Sequence, residues 1–208
     1  EEIQINRDIK ILEYSGGRLH IPTISCKSSV DAIREAKNKG LDISCSVAIH
    51  NLTYNEEKLK DFDTRYKVSP PLRTELDRKA LVKAVEDGTI DMVTSDHMPI
   101  DVDNKKMDID NAEYGTIGLE SFFGALLNLF DLNKTIKILT SGRSRFKIND
   151  CKMEEGSNAN MTLFTIGNEY TFLKSNIMSK SKNSAFLGTK MHGKPLGVVV
   201  NEKLLIND

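Results

Sequence analysis

Between Arg18 and His50 the sequence switches from strand to helix and back to strand, and this alternation restricts the possible folds more than any other feature. RLHIPTIS, Arg18 to Ser25, is a short apolar and β-branched run that reads as a buried strand. In VDAIREAKNKG, apolar residues fall at Val30, Ile33 and Ala36; Ser28, three residues ahead of Asp31, gives a capping-box-like start, and Gly40 closes the helix. LDISCSVAIH, Leu41 to His50, alternates and then runs apolar as a second strand would. Three elements within about 35 residues make one βαβ unit with parallel pairing.

The pattern extends in both directions. EEIQINRDIK places Ile3, Ile5 and Ile9 among charges at mixed helical spacing, and Ser15-Gly16-Gly17 stops that element. Residues 53 to 73 are polar, contain Pro70-Pro71 and read as a loop or a short irregular strand. Thr74 caps a helix through Asp77 that ends at Gly88, and IDMVTSDH, Ile90 to His97, is the strand that follows. An apolar helix is predicted over Gly118 to Leu129 and a weaker one over Lys134 to Phe146. After Cys151 come short alternating runs, NMTLFTI, EYTFL and LGVVV, punctuated by Gly156, Gly167, Gly188 and Gly197, which predict a small antiparallel β module. The fold class expected is α/β, part of a (β/α)8 barrel over 1–150 with an accessory β module over 151–208. A doubly wound open sheet is the alternative, but no glycine-rich phosphate turn follows any strand.

Composition narrows the partners. The chain has 208 residues with 29 Lys+Arg against 30 Asp+Glu, a net charge of −1, which excludes nucleic-acid binding driven by bulk positive charge. With 39% apolar and 28% charged residues it falls in the globular range, and with no Trp its packing rests on Leu, Ile, Val and Met. Cys26, Cys45 and Cys151 form no CxxC pair and read as reduced thiols. No run approaches the roughly 20 apolar residues of a membrane span, and the N-terminus lacks a signal-peptide pattern, so a cytoplasmic location is expected. A start on Glu1-Glu2 rather than Met suggests a piece of a longer chain.

The polar residues at the strand ends carry the chemistry. In TSDHMP, residues 94 to 99, Asp96 could ligate a metal or take a proton from a bound water, or it could simply cap the next turn. His50 could be a zinc ligand or a hydrogen-bonded loop anchor. His20, mid-strand, reads as a core or supporting residue, and His192 as part of a surface turn. In KVSPPLR, Lys67 and Arg73 are held by two prolines, either for an anionic substrate or for salt bridges, with salt bridges the commoner use of such charges. DVDNKKMDID, Asp101 to Asp110, has the composition of a calcium loop without its glycine or terminal Glu, and reads as a charged surface loop. Gly115-Thr116-Ile117-Gly118 could offer backbone N–H groups to an anion or be an ordinary turn.

Taken together these segments resemble dihydroorotase, a cyclic amidohydrolase of de novo pyrimidine biosynthesis. KVSPPLRTELDRKALVKAVEDGTIDMVTSDHMP, then Lys105, then GTIGLE at 115 to 120, is similar to the family's K-x-N-P-P-L-R loop, helix, I-D-x-I-x-T-D-H-A-P-H strand, following Lys and G-I-x-G-L-E. RLHIPTIS resembles H-I-x-H-x-S, and SVAIHNL resembles E-V-x-P-H-H-L. In the tail, EEGSNANMTLF resembles E-G-x-x-A-D-x-x-L-F, and SKSKNSAFLG resembles S-K-S-x-N-S-P-F-x-G. The resemblance covers nearly the whole chain and implies the C-terminal half of such an enzyme, with the last four barrel strands and part of the accessory module.

By this likeness the protein would reversibly hydrolyse dihydroorotate to carbamoyl aspartate on a zinc-activated water. His50 matches a zinc ligand, and Asp96 matches the residue that binds metal and shuttles the proton. The resemblance also exposes departures. Thr23, a poor zinc ligand, stands where the family has its other His ligand, and Ile100 stands where a His helps hold the substrate carboxylate. Asn51, Ser69 and Asn160 replace a His, an Asn and an Asp. The family's H-x-H pair, bridging Lys and substrate Arg belong to the N-terminal half, so the 208-residue segment alone is expected to be inactive. The alternatives implied are a silent homologue that serves as structural partner of aspartate transcarbamoylase, and a hydantoinase- or allantoinase-type amidohydrolase, in which the carboxylate-holding His is not expected. The resemblance suggests a homodimer or a larger complex, and no membrane partner is expected.

Overall fold

The computed structural model describes residues 1–148, 154–167, 169–200 and 203–207. Cys151 and the expected boundary at residue 150 lie outside the described residues. The chain divides into two compact units, one formed by Glu1–Glu120 with Ile177–Ala185, the other by Ser121–Asn176 with Phe186–Asp208.

In the first unit, α1 (Glu2–Ser15) buries Ile5, Ile9 and Leu12 on one stripe and stops at Gly16, whose φ of 66° suits glycine and whose N–H donates to Leu12 O. β1 (Leu19–Ile21) is shorter than RLHIPTIS suggested, because Pro22 cannot donate to a ladder. α2 (Lys27–Asn38) buries Val30, Ile33 and Ala36 as predicted. Its N-cap is Cys26 rather than a residue near Ser28, and the open Lys27 N–H is satisfied from outside the helix by Asp77 Oδ1 at 2.9 Å.

β2 (Ile43–Ala48) is buried along its whole length, as a central parallel strand must be. A short helix, α3 (Ile49–Thr53), follows directly, and two single 3-10 turns then occupy the polar stretch. α4 (Glu75–Asp87) has the predicted cap, with the Asp77 N–H donating to Thr74 Oγ1, and it ends on left-handed Gly88. β3 (Met92–Thr94) completes a parallel sheet in the order β1-β2-β3. Its register pairs Ile21 with Cys45 across β1 and β2, and Ala48 with Thr94 across β2 and β3. Beyond β3, His97 makes a parallel bridge with Thr116. The surface loop expected over Asp101 to Asp110 instead contains α5 (Val102–Lys105) and buries Lys105.

α6 (Leu119–Leu129) runs from the first unit into the second, which continues with α7 (Leu132–Thr140) and α8 (Gly142–Arg145). β4 (Met161–Thr165), β7 (Lys194–Val200) and β8 (Lys203–Ile206) form an antiparallel sheet, while β5 (Tyr170–Thr171) pairs with β6 (Lys190–Met191). Leu126, Phe172, Phe186 and Met191 are among the fully buried side chains of this unit. Among the described residues, no helix is long and apolar enough to cross a membrane.

Candidate active site at the strand ends

Parallel pairing sets the site. Ala48 and Thr94 are the last registered pair of β2 and β3, and two residues beyond each the chain presents His50 and Asp96. Side chains alternate along a strand, so equal steps past a shared register point two groups toward the same end of the sheet. His50 Nε2 and Asp96 Oδ2 lie 3.7 Å apart. His50 sits on the first turn of α3 rather than at the strand end itself, and is 1% exposed. Asp96 is partly exposed and holds φ at 43°, a left-handed conformation in which Asp is among the better-tolerated residues.

Among the described residues, neither ring nitrogen of His50 has a hydrogen-bond partner. Burial pushes its pKa down to about 4, so at neutral pH it is a neutral imidazole and the pair is not an ion pair. Burial acts in the opposite direction on Asp96 and raises its carboxyl pKa. Six buried side-chain polar atoms among the described residues lack partners, and four cluster here: both His50 nitrogens, Asn51 Oδ1 and Thr94 Oγ1. Buried polar groups are nearly always satisfied, so such a cluster marks a place where something else supplies the partner. Thr94 carries no sequence signal of its own; its buried hydroxyl stands one step before the Ser95-Asp96 pair.

His50 and Asp96 could hold a metal. Their separation exceeds a hydrogen bond, yet both could reach one ion at roughly 2.0–2.2 Å. Among the described residues, no group of three or more His, Cys, Asp or Glu converges on a possible ion, so His50 and Asp96 stand here as a pair of donors.

The other sequence candidates separate clearly. Thr23 stands two residues past β1, also at φ 43°, with its N–H donating to Ser46 Oγ at 3.1 Å. His20 Nδ1 is bonded to Ser44 Oγ at 2.9 Å, a supporting role as expected. His192 is on the surface, 3.9 Å from Glu169. Ile100, which offers no side-chain donor, lines a cavity of about 450 Å³ with Pro99, Asp101, Val102, Lys106 and Lys180.

Among the described residues Lys67 has no salt-bridge partner: its Nζ donates to Ile109 O at 2.6 Å and lies 4.6 Å from the Tyr114 ring centroid. Arg73 keeps the expected salt bridge, its guanidinium 4.0 Å from Glu1 Oε2, and its Nε donates to Ser25 Oγ at 3.1 Å. The loop they bound is held near His50 by Asn51, whose Nδ2 donates to Pro71 O at 3.1 Å. On its other side Lys105 Nζ donates to Lys67 O at 3.1 Å and Glu113 O at 2.8 Å, and burial lowers the amine's pKa to about 8. The turn at 115–118 uses an N–H internally: Gly118, together with Leu119, donates to His97 Nδ1.

No family model matches the chain. Among curated proteins it is 39% identical over 203 residues to the dihydroorotase of Thermoanaerobacter sp., covering 93% of this chain and 46% of the relative. The dihydroorotase of Desulforapulum autotrophicum is 33% identical over 210 residues, covering 99% of this chain and 49% of the relative. The chain thus spans about half the length of the curated relatives it matches. Among solved structures, a D-hydantoinase from Thermus sp. superposes with a TM-score of 0.89 at 23% identity, over 100% of this chain and 48% of the other. An L-hydantoinase from Arthrobacter aurescens gives 0.88 at 22%, over 99% and 48%. At these identities the structural likeness is one of fold.

Proposed function

The chain belongs to the cyclic amidohydrolase family as a C-terminal part of its TIM-barrel enzymes, and on that premise we propose that it supplies half of a metal-dependent site for dihydroorotase-type chemistry. The observation that carries this reading is the unpartnered, neutral imidazole of His50 beside the Asp96 carboxylate. A neutral imidazole beside a carboxylate is a donor pair that fits zinc, with the remaining ligands supplied from outside this chain. When bound, zinc would provide Lewis-acid polarisation of the substrate's carbonyl oxygen.

The protein's own groups do the rest. His50 Nε2 offers its lone pair without first losing a proton. Asp96 takes a proton from the attacking water during ring opening and returns it to the departing amide nitrogen; ring closure of carbamoyl aspartate reverses both transfers. A carboxyl pKa raised by burial strengthens Asp96 as a base.

Metal analysis of the full-length protein, combined with a carbamoyl-aspartate cyclisation assay, tests the proposal. Bound zinc and turnover that both fall at least a hundredfold in Asp96→Asn support it. Absence of zinc and of turnover at high enzyme concentration refutes it.

Ile100 favours a second substrate reading. A site without a donor at this position suits a cyclic amide with no ring carboxylate, because a carboxylate left without its charge-assisted hydrogen bond loses about 1.5–3 kcal/mol. Parallel assays with dihydroorotate and with hydantoin or dihydrouracil separate the two.

A further inference from the structure

Asp96, at a left-handed φ of 43°, is followed directly by residues bonded to a turn far from it in sequence. The Met98 N–H donates to Thr116 O at 2.9 Å, and His97 bridges to the same residue. His97 Nδ1 accepts from the backbone N–H groups of both Gly118 and Leu119, each at 3.3 Å, at the head of α6. An acceptor nitrogen carries no proton, so this geometry places the ring proton on Nε2. Gly118 presses so closely on Ser95 that a Cβ there would collide with Ser95 O.

The turn is held in its place by residues 183–185. Ile117 N–H donates to Asn183 O at 3.0 Å, Asn183 Nδ2 donates to Gly115 O at 3.1 Å, and Ala185 N–H donates to Thr116 Oγ1 at 2.8 Å. Thr116 and Asn183 are both buried. Hydrogen bonds therefore run from Ala185 through Thr116 to Met98, on the C-terminal side of Asp96, while Asn183 holds the flanking residues Gly115 and Ile117.

We propose that His97 is a positioning residue for Asp96. By accepting both N–H groups at the head of α6 it ties the Ser95–Met98 backbone to the 115–119 turn, and this keeps the Asp96 carboxylate turned toward His50. The proposal builds on the reading of Asp96 as the working carboxylate.

The test uses the metal-free full-length protein and compares crystal structures of wild type, His97→Leu and His97→Asn. Leucine cannot accept; asparagine can place its Oδ1 near the site of Nδ1. In H97L, Asp96 leaves the left-handed region and its distance from His50 grows by about 1 Å or more, a displacement on the scale that costs roughly a hundredfold in rate. H97N keeps both. Should H97L fail to fold, His97→Gln, which carries its acceptor one methylene further out, gives the same contrast with H97N. An Asp96 that keeps its φ and its distance from His50 in H97L, or in H97Q, overturns the proposal. Because no metal is present in these crystals, a wild-type protein that takes up no zinc defeats the proposed function and leaves this comparison standing.

Discussion

Thr23 and Asp96 share one backbone conformation at equivalent places: each stands two residues beyond the end of its strand, and each holds φ at 43°. Aspartate tolerates this region, whereas a β-branched residue is a true outlier in it. The resemblance puts a His ligand at the Thr23 position, and His is also among the residues enriched at positive φ. The backbone at Thr23 thus suits the residue the family would have there better than the one present.

Thr23→His is therefore expected to keep or slightly raise the melting temperature while increasing Co²⁺ or Zn²⁺ affinity of the full-length protein by about tenfold or more, since ligand number governs affinity. Isothermal titration of wild type and variant reads this directly. Unchanged affinity would remove Thr23 from the ligand positions.

Gly118→Ala should lower stability by about 2–3 kcal/mol, because the new methyl group meets a backbone carbonyl that cannot rotate away. Denaturant midpoints at constant slope give the value. Gly16→Ala is a control for conformational cost alone, as nothing lies within 4 Å of a Cβ there.

Lys105 gives a pH signature. Its folded-state pKa, lowered by burial to about 8, lies below the ordinary lysine value of 10.5, so between pH 8 and 10.5 the unfolded chain binds the extra proton. Stability linked to this group is lowest below pH 8 and rises with pH across that window. Lys105→Met removes the rise. It also breaks the bonds to Lys67 O and Glu113 O, which costs about 1–3 kcal/mol at neutral pH. Urea titrations at pH 7.5 and 9.5 separate the two effects.

The cysteines should differ in reactivity. Burial, reinforced by Asp91, pushes the Cys45 thiol up to about 12, and the residue has no exposed surface. Cys26 is partly exposed. Brief iodoacetamide treatment at pH 8 followed by peptide mass spectrometry is expected to find Cys26 alkylated and Cys45 intact; labelling of Cys45 in the native protein would contradict its placement.

Local physics made much of this legible in advance. The Thr74–Asp77 cap, the stop at Gly88 and the buried stripe of α2 depend on neighbours within one or two turns, and the sequence shows them. His50 and Asp96 were legible because strands that end in polar residues deliver them to one face. What escaped depends on distant partners. The cap of Lys27 comes from Asp77, Lys105 is buried by carbonyls of Lys67 and Glu113, and the role of His97 needs Gly118 and Asn183. Charge composition marked Asp101 to Asp110 as surface, and only the three-dimensional path of the loop reveals that one of its lysines turns inward.

Ile177–Ala185 folds with Glu1–Glu120, so the order of synthesis matters. A ribosome must release more than fifty residues after the 115–119 turn before Asn183 can reach it. Until then the nascent chain has the strands in hand but lacks the piece that locks their ends, and any truncation upstream of Asn183 would leave the protein permanently at that stage.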